Sequence, residues 1–211
     1  MGQISDIINM YFVTAPFFLR WYYPKVTFHK SRKDQKIYLT FDDGPIPEVT
    51  PFILDTLAEH RIKATFFCVG ENIDKHPAIY DRILAEGHQV GNHTYNHLKG
   101  WDTPDDMYLQ NIARCQKLTG TSLFRPPYAR AKKSQLNELY NAYEVVFWDV
   151  LSGDFDTRIS PEQCYQNVIR NTQNGSIIVF HDNIKALPRV TYALPKVITY
   201  LKQAGYDFGT L

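Results

Sequence analysis

The sequence predicts an α/β fold in a single domain. Six short apolar runs rich in β-branched and aromatic residues alternate with segments of helical length, which is typical of buried parallel strands joined by helical crossovers. The runs cover 36–41, 63–69, 89–92, 122–124, 143–148 and 176–181. A chain of 211 residues with 44% hydrophobic content can bury such a core without dividing. Repeated units of this kind close as a barrel or form an open sheet, and in both the strand carboxyl ends carry the site.

Three helix starts share one local pattern, a hydroxyl residue followed by proline: Thr50-Pro51, Thr103-Pro104 and Ser160-Pro161. A hydroxyl side chain at the N-cap accepts a backbone hydrogen bond, and proline suits the first helical position. Gly120 and Gly205 stand where helix C-caps are expected. These signals predict helices in the intervals between the apolar runs.

The N-terminal segment is apolar and aromatic over residues 7–23 but is not continuous enough to span a membrane. Polar residues and a proline interrupt it, at Asn9, Thr14, Pro16 and Arg20. It is shorter than the ~18 uninterrupted apolar residues of a span, and no basic region of a secretory signal precedes it. We expect residues 1–35 to pack on the body formed by 36–211. Attachment to a membrane interface is the alternative, and it would require a clearer basic face.

Charge and cysteine content exclude several classes of partner. With 23 basic and 22 acidic residues, the net charge of +1 provides no basic surface for nucleic acid. Three widely spaced cysteines, Cys68, Cys115 and Cys164, form no Cys-x-x-Cys pair, so we expect buried thiols rather than a disulfide framework. No heptad pattern is present, and a monomer is the default expectation. The absence of a visible export signal leaves the compartment open.

Polar residues that could take part in catalysis or metal binding follow five of the predicted strands. Asp42 comes after the first strand, His93 after the third, Arg125 after the fourth, Asp149 after the fifth and His181 at the end of the sixth. Because the carboxyl ends of parallel strands meet at one edge, we expect these side chains on one rim.

The spacing of His93 and His97 suggests a metal site. Two imidazoles four residues apart can reach one ion from a single helical turn, and a carboxylate from another segment would complete a three-ligand site with room for water. Alone, the pair has a second explanation, because exposed helix faces also collect histidines. The string Asp42-Asp43-Gly44-Pro45 is likewise, by itself, more typical of a turn than of a catalytic pair.

Five motifs together resemble those of the polysaccharide deacetylases of carbohydrate esterase family 4, the NodB-homology domain. In chain order they are Thr40-Phe-Asp-Asp-Gly-Pro45, His93-Thr-Tyr-Asn-His97, Arg125-Pro-Pro-Tyr128, Ser152-Gly-Asp-Phe155 and Val179-Phe-His181. The resemblance covers about residues 36–205. It implies a distorted (β/α)7 barrel that removes N-acetyl or O-acetyl groups from polysaccharides with one divalent metal ion.

The resemblance also implies a role for each motif residue. Asp43, His93 and His97 would bind the metal, and Asp42 would be the general base. A metal-bound carboxylate is locked in its ionised form, whereas its neighbour must stay free to accept a proton. Two histidines and one carboxylate suit zinc, although cobalt, nickel or iron would suit the same ligands.

The other motifs would supply positioning, oxyanion stabilisation and the general acid. Arg125 would hold Asp42, and the backbone N–H of Tyr128 would stabilise the tetrahedral oxyanion. His181 would protonate the leaving amine, with Asp154 orienting it, which predicts a bell-shaped pH profile. Phe155 would form an apolar wall for the substrate where tryptophan is common in the family. Ala129 replaces a usual glycine, so the turn at Tyr128 need not have the family's geometry.

Two classes of function follow from the resemblance. The first is a metal-dependent hydrolase acting on an acetylated glycan such as chitooligosaccharide or peptidoglycan, most naturally on N-acetyl groups, with O-acetyl xylan or a small amide as variants. The second is a catalytically silent carbohydrate-binding domain. The enzyme is favoured by the intact motif residues, since a binding domain needs no base, acid and open metal site together. These residues are Asp42, Asp43, His93, His97, Arg125 and His181. Among aromatic residues, Tyr95 and Trp101 are the better candidates for stacking on sugar rings.

Overall fold

A curled parallel sheet of seven strands organises the computed structural model, which describes residues 11–211. The strands are β1 Lys36–Asp42, β2 Thr65–Cys68, β3 Gln89–Asn92, β4 Leu123–Phe124, β5 Glu144–Val145, β6 Val150–Leu151 and β7 Ile177–His181. Their spatial order is β5, β4, β3, β2, β1, β7, β6, and each of these neighbouring pairs is parallel. The predicted α/β fold, a distorted (β/α)7 barrel in one domain, is confirmed.

Helices connect the strands and cover the sheet. They are α1 Phe17–Tyr22, α2 Thr50–Glu59, α3 Gly70–Lys75, α4 Pro77–Ala85, α5 Asp105–Thr119, α6 Lys133–Leu139, α7 Pro161–Ile169 and α8 Leu187–Gln203. Ser160 caps α7 as predicted, because its hydroxyl accepts from the N–H of Gln163. Gly120 ends α5 in the left-handed conformation, also as predicted.

The hydroxyl caps predicted at Thr50 and Thr103 are wrong. The Thr50 hydroxyl accepts from the N–H of Ile46 and donates to Asp182, so a tertiary contact has taken the group that a cap would use. The Thr103 hydroxyl donates to the carbonyl of Lys99, and α5 begins two residues later. Local propensity located these helices, but competing hydrogen bonds decided their first turns.

The core lies between the sheet and the outer helices, and β1 is its centre. β1 pairs with β2 over Thr40 to Asp42 and with β7 over Tyr38 to Asp42. The ring of Phe41 stacks on Phe66 at 5.0 Å and on Phe180 at 6.2 Å between centroids. This pairing on both sides fixes the position of the residues that follow β1.

Two strands were not predicted from the sequence. The sequence predicts one strand over 143–148, but only Glu144–Val145 is β5, and β6 follows as Val150–Leu151. A final strand, β8 Asp207–Phe208, pairs with the start of β1. Strands of two residues carry no periodicity, so their pairing partners define them.

The seam between β5 and β6, which do not pair in the sheet path, is covered by the N-terminal segment. The N–H of Thr27 donates to the carbonyl of Val145 in β5, and the carbonyl of Thr27 accepts from the N–H of Phe147. Thr14 forms an antiparallel bridge with Val150 of β6. His29 forms a further bridge with Ser176. The part of residues 1–35 that the structure describes, 11–35, therefore bridges the two edges of the sheet. Residues 1–10, the beginning of the segment expected to pack on the body, lie outside the described residues.

Asp149 belongs to this seam and not to the rim where the sequence placed it. Its carboxylate accepts from Arg20 at 2.6 Å, from Arg32 at 2.9 Å and from the hydroxyl of Ser176 at 2.6 Å. Ser176 precedes β7, whereas the rim residues follow their strands. The expectation of five converging strand ends is therefore wrong for Asp149.

All three cysteines are buried free thiols, as predicted. Within residues 11–211, no helix is long and apolar enough to cross a membrane.

Candidate active site

Three predicted metal ligands meet at the carboxyl end of the sheet. Asp43 follows β1, and its Oδ1 lies 3.0 Å from Nε2 of His97 and 3.6 Å from Nε2 of His93. One ligand atom from each residue lies within 4.8 Å of the others. Two imidazole nitrogens and one carboxylate oxygen form the donor set of zinc sites that retain an open position, so the residues fit a divalent cation.

The tautomer of His93 leaves its Nε2 available. Nδ1 of His93 lies 2.7 Å from the carbonyl oxygen of Arg125. A carbonyl oxygen only accepts, so Nδ1 carries a proton and Nε2 is the nitrogen that faces Asp43. A backbone carbonyl on the distal imidazole nitrogen is a common support for a metal-binding histidine.

Asp43 is held in place by two asparagines that the sequence analysis did not identify. Asn183 donates to Oδ2 of Asp43 at 2.6 Å, and Asn72 donates to its backbone carbonyl at 2.7 Å. Asp43 has a φ of 90°, which these bonds help to maintain. Burial acts to raise the pKa of Asp43, but the facing imidazoles of His93 and His97 hold it well below its usual range. The carboxylate is therefore ionised and directs Oδ1 at the histidines.

The predicted helical turn carrying His93 and His97 is wrong, because residues 93–97 form a loop. Thr94 and His97 have φ values of 63° and 56°. The loop is fixed by side chains: Asn92 accepts from the N–H of Thr94, and Asn111 accepts from the N–H groups of Tyr95 and 96. The two imidazoles still converge, with ring centroids 5.1 Å apart.

Asp42 and Arg125 form a buried ion pair beside the metal ligands. Nη1 of Arg125 donates to Oδ1 of Asp42 at 2.6 Å and to the hydroxyl of Thr40 at 2.8 Å. Nε and Nη2 of Arg125 donate to the carbonyls of Val146 and Phe147. The arginine side chain is 0% exposed, so four fixed acceptors orient it. Oδ2 of Asp42 accepts no hydrogen bond from the described residues, which leaves it free to take a proton.

His181 is bonded to Asp154 on one ring nitrogen. Nδ1 of His181 lies 2.7 Å from Oδ1 of Asp154, whose Oδ2 accepts from the backbone N–H of His181 at 2.6 Å. Burial acts to lower the pKa of His181, but the Asp154 carboxylate outweighs it and the pKa is raised to about 9. Arg189, also absent from the predicted set, donates to the carbonyl of Asp154.

The turn at Tyr128 presents its backbone outward. Tyr128 and Ala129 have φ values of 60° and 54°, so an alanine adopts the left-handed conformation that favours glycine. The N–H of Tyr128 makes no hydrogen bond within residues 11–211, whereas those of Ala129 and Arg130 are bonded to Pro126 and Pro127. The Tyr128 ring is 58% exposed and contacts His97 at 4.8 Å between centroids.

Aromatic residues border the site on one side. Phe155 packs edge-on against His181 at 5.1 Å and against Tyr11 of the N-terminal segment at 5.0 Å. Tyr95 is buried and donates its hydroxyl to Asp74, so it offers no free face, in contrast to the expectation for a stacking residue. Trp101 is 52% exposed.

Asp182 shapes the backbone next to Asp43. It accepts from the N–H of Gly44 and from the hydroxyl of Thr50, each at 2.7 Å. A Cβ on Gly44 would lie 1.7 Å from Oδ2 of Asp182, so only glycine fits. Burial raises the pKa of Asp182 to about 7. Its place directly after His181 was the only sequence signal for it.

Comparison with known proteins places the chain in a family. A family model described as polysaccharide deacetylase matches residues 29–146. A peptidoglycan-N-acetylglucosamine deacetylase of Bacillus cereus is 32% identical over 88% of this chain and 91% of its own length. The chain therefore belongs to the polysaccharide deacetylase family, as the five motifs predicted.

Other relatives extend the comparison. The peptidoglycan-N-acetylglucosamine deacetylase PgdA of Listeria monocytogenes is 34% identical over 86% of this chain, which spans only 39% of that longer protein. Among solved structures, the Bc1960 peptidoglycan N-acetylglucosamine deacetylase, in complex with 4-naphthalen-1-yl-N-oxidanyl-benzamide, has a TM-score of 0.86 and 36% identity, covering 93% of this chain and 95% of that one.

Proposed function

We propose that this protein is a metal-dependent hydrolase that removes N-acetyl groups from a glycan. One observation carries the proposal: a three-ligand cluster, Asp43, His93 and His97, directly adjoins a buried carboxylate, Asp42, that has one oxygen fixed by Arg125 and one oxygen free. A base beside an open cation site is the arrangement that hydrolysis of an amide requires.

The cation would be held by Asp43, His93 and His97. A divalent ion bound there supplies a Lewis acid that polarises the acetyl carbonyl and lowers the pKa of water toward ~7. Zinc is the ion we propose, and cobalt, nickel or iron would suit the same donors. Asn183 supports this assignment, because its bond to Oδ2 leaves Oδ1 of Asp43 to face the histidines.

The remaining site residues transfer protons, stabilise the oxyanion and border the substrate. Asp42 accepts the proton of the attacking water on its free oxygen while Arg125 keeps the carboxylate oriented. The N–H of Tyr128 stabilises the oxyanion of the tetrahedral intermediate, a contribution of roughly 3 kcal/mol for such a donor. His181 protonates the departing amine, and Asp154 keeps the imidazolium charged. Phe155, packed on His181, forms an apolar wall for the substrate.

The substrate we propose is an N-acetylglucosamine-containing glycan, either peptidoglycan or a chitooligosaccharide. Relatives and a structural neighbour that match most of the chain are named as peptidoglycan N-acetylglucosamine deacetylases. A chitooligosaccharide deacetylase of Azorhizobium caulinodans is 34% identical over 72% of the chain. Peptidoglycan as the substrate would place the enzyme at the cell envelope. O-acetyl xylan and a silent binding domain remain outcomes of the test below, and a small N-acetyl amide is included in it as a further substrate.

We also propose that residues 36–211 form the deacetylase domain and that 1–35 is an accessory segment of a monomer. The bridges from Thr14, Thr27 and His29 to the sheet edges support this division.

Acetate release tests the proposal. The protein is stripped of metal with a chelator, then supplied with zinc, cobalt or magnesium, and incubated with N-acetylated chitooligosaccharides, peptidoglycan fragments, acetylated xylan and a small N-acetyl amide. We expect acetate from the first two with zinc or cobalt and none with magnesium, which disfavours imidazole ligands. Binding of the glycans without acetate release under every metal would favour the silent domain instead.

A further inference from the structure

An aromatic groove lies beside the site, between the N-terminal segment and two site loops. It has a volume of about 500 Å³ and is lined chiefly by Phe18, Trp21, Tyr22, Trp101, Lys132 and Lys133. Trp21 is 82% exposed, Trp101 52% and Tyr22 47%. Rings that remain this exposed do not serve the core, and clustered exposed apolar side chains mark binding surfaces.

Two of the groove walls are continuous with the candidate active site. Trp101 lies in the loop that begins with His97, and Lys132 lies in the segment that follows Tyr128. The indole N–H of Trp101 donates to the carbonyl of Ala131 at 3.1 Å, and the N–H of Gly100 donates to the carbonyl of Arg130 at 2.8 Å. These bonds join the loop that follows His97 to the segment that follows Tyr128, so both segments that leave the site contribute to the groove.

The N-terminal segment supplies the opposite wall. Trp21 and Tyr22 belong to α1, none of whose six residues is fully buried. Leu19 of the same helix is half-buried against the core, and Tyr23, which follows the helix, is buried in it. The ammonium of Lys133 lies 3.6 Å from the centroid of the Tyr22 ring, which fixes this ring at the groove edge. This wall of the groove is therefore formed by the same N-terminal segment that bridges β5 and β6.

The chemistry of the lining suits a sugar polymer. Exposed aromatic faces can stack on the C–H faces of pyranose rings, with geometry that tolerates differences between sugars. The Lys133 ammonium, which lies over the Tyr22 ring, adds a hydrogen-bond donor for hydroxyl, lactyl or peptide carboxylate groups, whereas the Lys132 ammonium is already bonded to Thr103 and Asp105. None of the described residues that line the groove carries a carboxylate. A polymer with a reacting unit at the metal ligands must extend past one of the site loops.

We propose that this groove binds sugar units of the acetylated glycan several residues from the unit being deacetylated, and so selects long chains over short ones. The inference rests on the proposed function, because it assigns a second contact to the same substrate. The N-terminal segment is then a part of the substrate-binding surface as well as a bridge across the seam.

Substitution of Trp21 tests the groove with little risk to folding, since its ring is almost entirely exposed. The variants are Trp21→Ala, Trp21→Phe and the matched control Phe17→Ala, which removes a ring 85% exposed on the same helix but outside the groove. Each is assayed for kcat/KM on N-acetylated chitooligosaccharides of two and of six or more units.

We expect Trp21→Ala to lower kcat/KM on the long substrate about tenfold, through KM, and to leave the short substrate within about twofold. Trp21→Phe should recover most of the loss, and Phe17→Ala should change neither. An equal change in kcat/KM on the long and the short substrate, or no change on either, would overturn the proposal that the groove binds the glycan. It would leave the proposed deacetylase activity standing. No acetate from any substrate with the unmodified protein would instead reject the proposed function.

A binding measurement separates the glycan from a lipid surface. Tryptophan fluorescence of the metal-stripped protein is titrated with N-acetylated chitooligosaccharide of six units and, separately, with vesicles containing an anionic phospholipid. We expect saturable quenching by the oligosaccharide that is lost in Trp21→Ala. A response to vesicles alone would show that α1 meets a membrane and would overturn the glycan proposal.

Discussion

Two buried carboxylates, one at the site and one at the seam, are paired with arginine in different ways. Asp42 meets Arg125, whose side chain is 0% exposed, and the pair shares a single 2.6 Å contact. Asp149 meets Arg20 and Arg32, whose side chains are 36% and 30% exposed, and it also accepts from Ser176. The carboxylate of Asp42 keeps an oxygen free, whereas both oxygens of Asp149 are bonded.

This difference separates a chemical role from a structural one. A carboxylate with a free oxygen and a fixed, fully buried counter-charge can accept a proton without losing its orientation. Both oxygens of Asp149 accept hydrogen bonds, from Arg20, Arg32 and Ser176, so this carboxylate holds distant segments of the chain together instead. Substitutions at the first should therefore change turnover, and substitutions at the second should change stability.

The largest effect is expected at Asp42. Asp42→Asn keeps an acceptor for Arg125 but removes the base, so turnover should fall about 100- to 10,000-fold, the usual contribution of a positioned base. Acetate release is measured at saturating zinc with metal content checked by elemental analysis. The matched control is Asp149→Asn, which should remain within about twofold of the unmodified protein. Retention of a tenth or more of the turnover in Asp42→Asn would remove the base assignment.

The next effect is expected in stability at the seam. Asp149→Ala removes the acceptor of two arginines and of the buried Ser176 hydroxyl, and we expect a loss of about 2 kcal/mol in the free energy of unfolding. The arginines are half-exposed and can turn to water, so the loss stays below that of a fully buried pair. Urea unfolding measures it. Asp55→Ala, which breaks an ion pair whose carboxylate side chain is 70% exposed, serves as control and should change little.

A third buried carboxylate, Asp154, differs from both because its partner, His181, can gain and lose a proton. The Asp154 carboxylate is the main group that raises the pKa of His181 to about 9, and Asp154→Asn should lower this pKa toward the usual value of about 6.5, since burial is then opposed only by the charges of Asp43 and Asp42. The protonated acid should therefore be lost at a lower pH, and the alkaline limb of the activity profile should move to lower pH. Turnover should fall about tenfold or more at pH 8 and less at pH 6. An unmoved alkaline limb would assign that limb to another group.

The smallest effect is expected from a single seam arginine. Arg20→Gln leaves Asp149 bonded to Arg32 and Ser176, so we expect a loss of about 0.5 kcal/mol, reduced in 1 M salt. Arg32→Gln should cost more, because Arg32 also donates to the carbonyl of Asn174. If Arg20→Gln were the more damaging of the two, the hydrogen-bond pattern would not explain the stability of the seam.

Much of the fold was readable from the sequence because its information is local. The run 36–41 predicts a strand because it is rich in apolar and β-branched or aromatic residues. Ser160-Pro161 predicts the start of a helix because serine is a good N-cap and proline suits the first helical position. β6 escaped prediction because two residues cannot display a period, and the hydroxyl of Thr50 was misread because Asp182 competes for it. Both failures concern groups whose partner lies far along the chain.

The motif residues, their order along the chain and the α/β class could be predicted from the sequence, since residue types and strand periodicity are properties of neighbouring positions. The folded chain was needed to show that a loop, rather than a helix, brings His93 and His97 together, and that Asn183 holds Asp43. It also separated Asp42 from Asp149: both follow strands predicted from the sequence, but Asp42 ends β1 at the site and Asp149 precedes β6 at the seam. The physical reason is that a side chain's role depends on which distant donors reach it, and the packing of the whole sheet sets those distances.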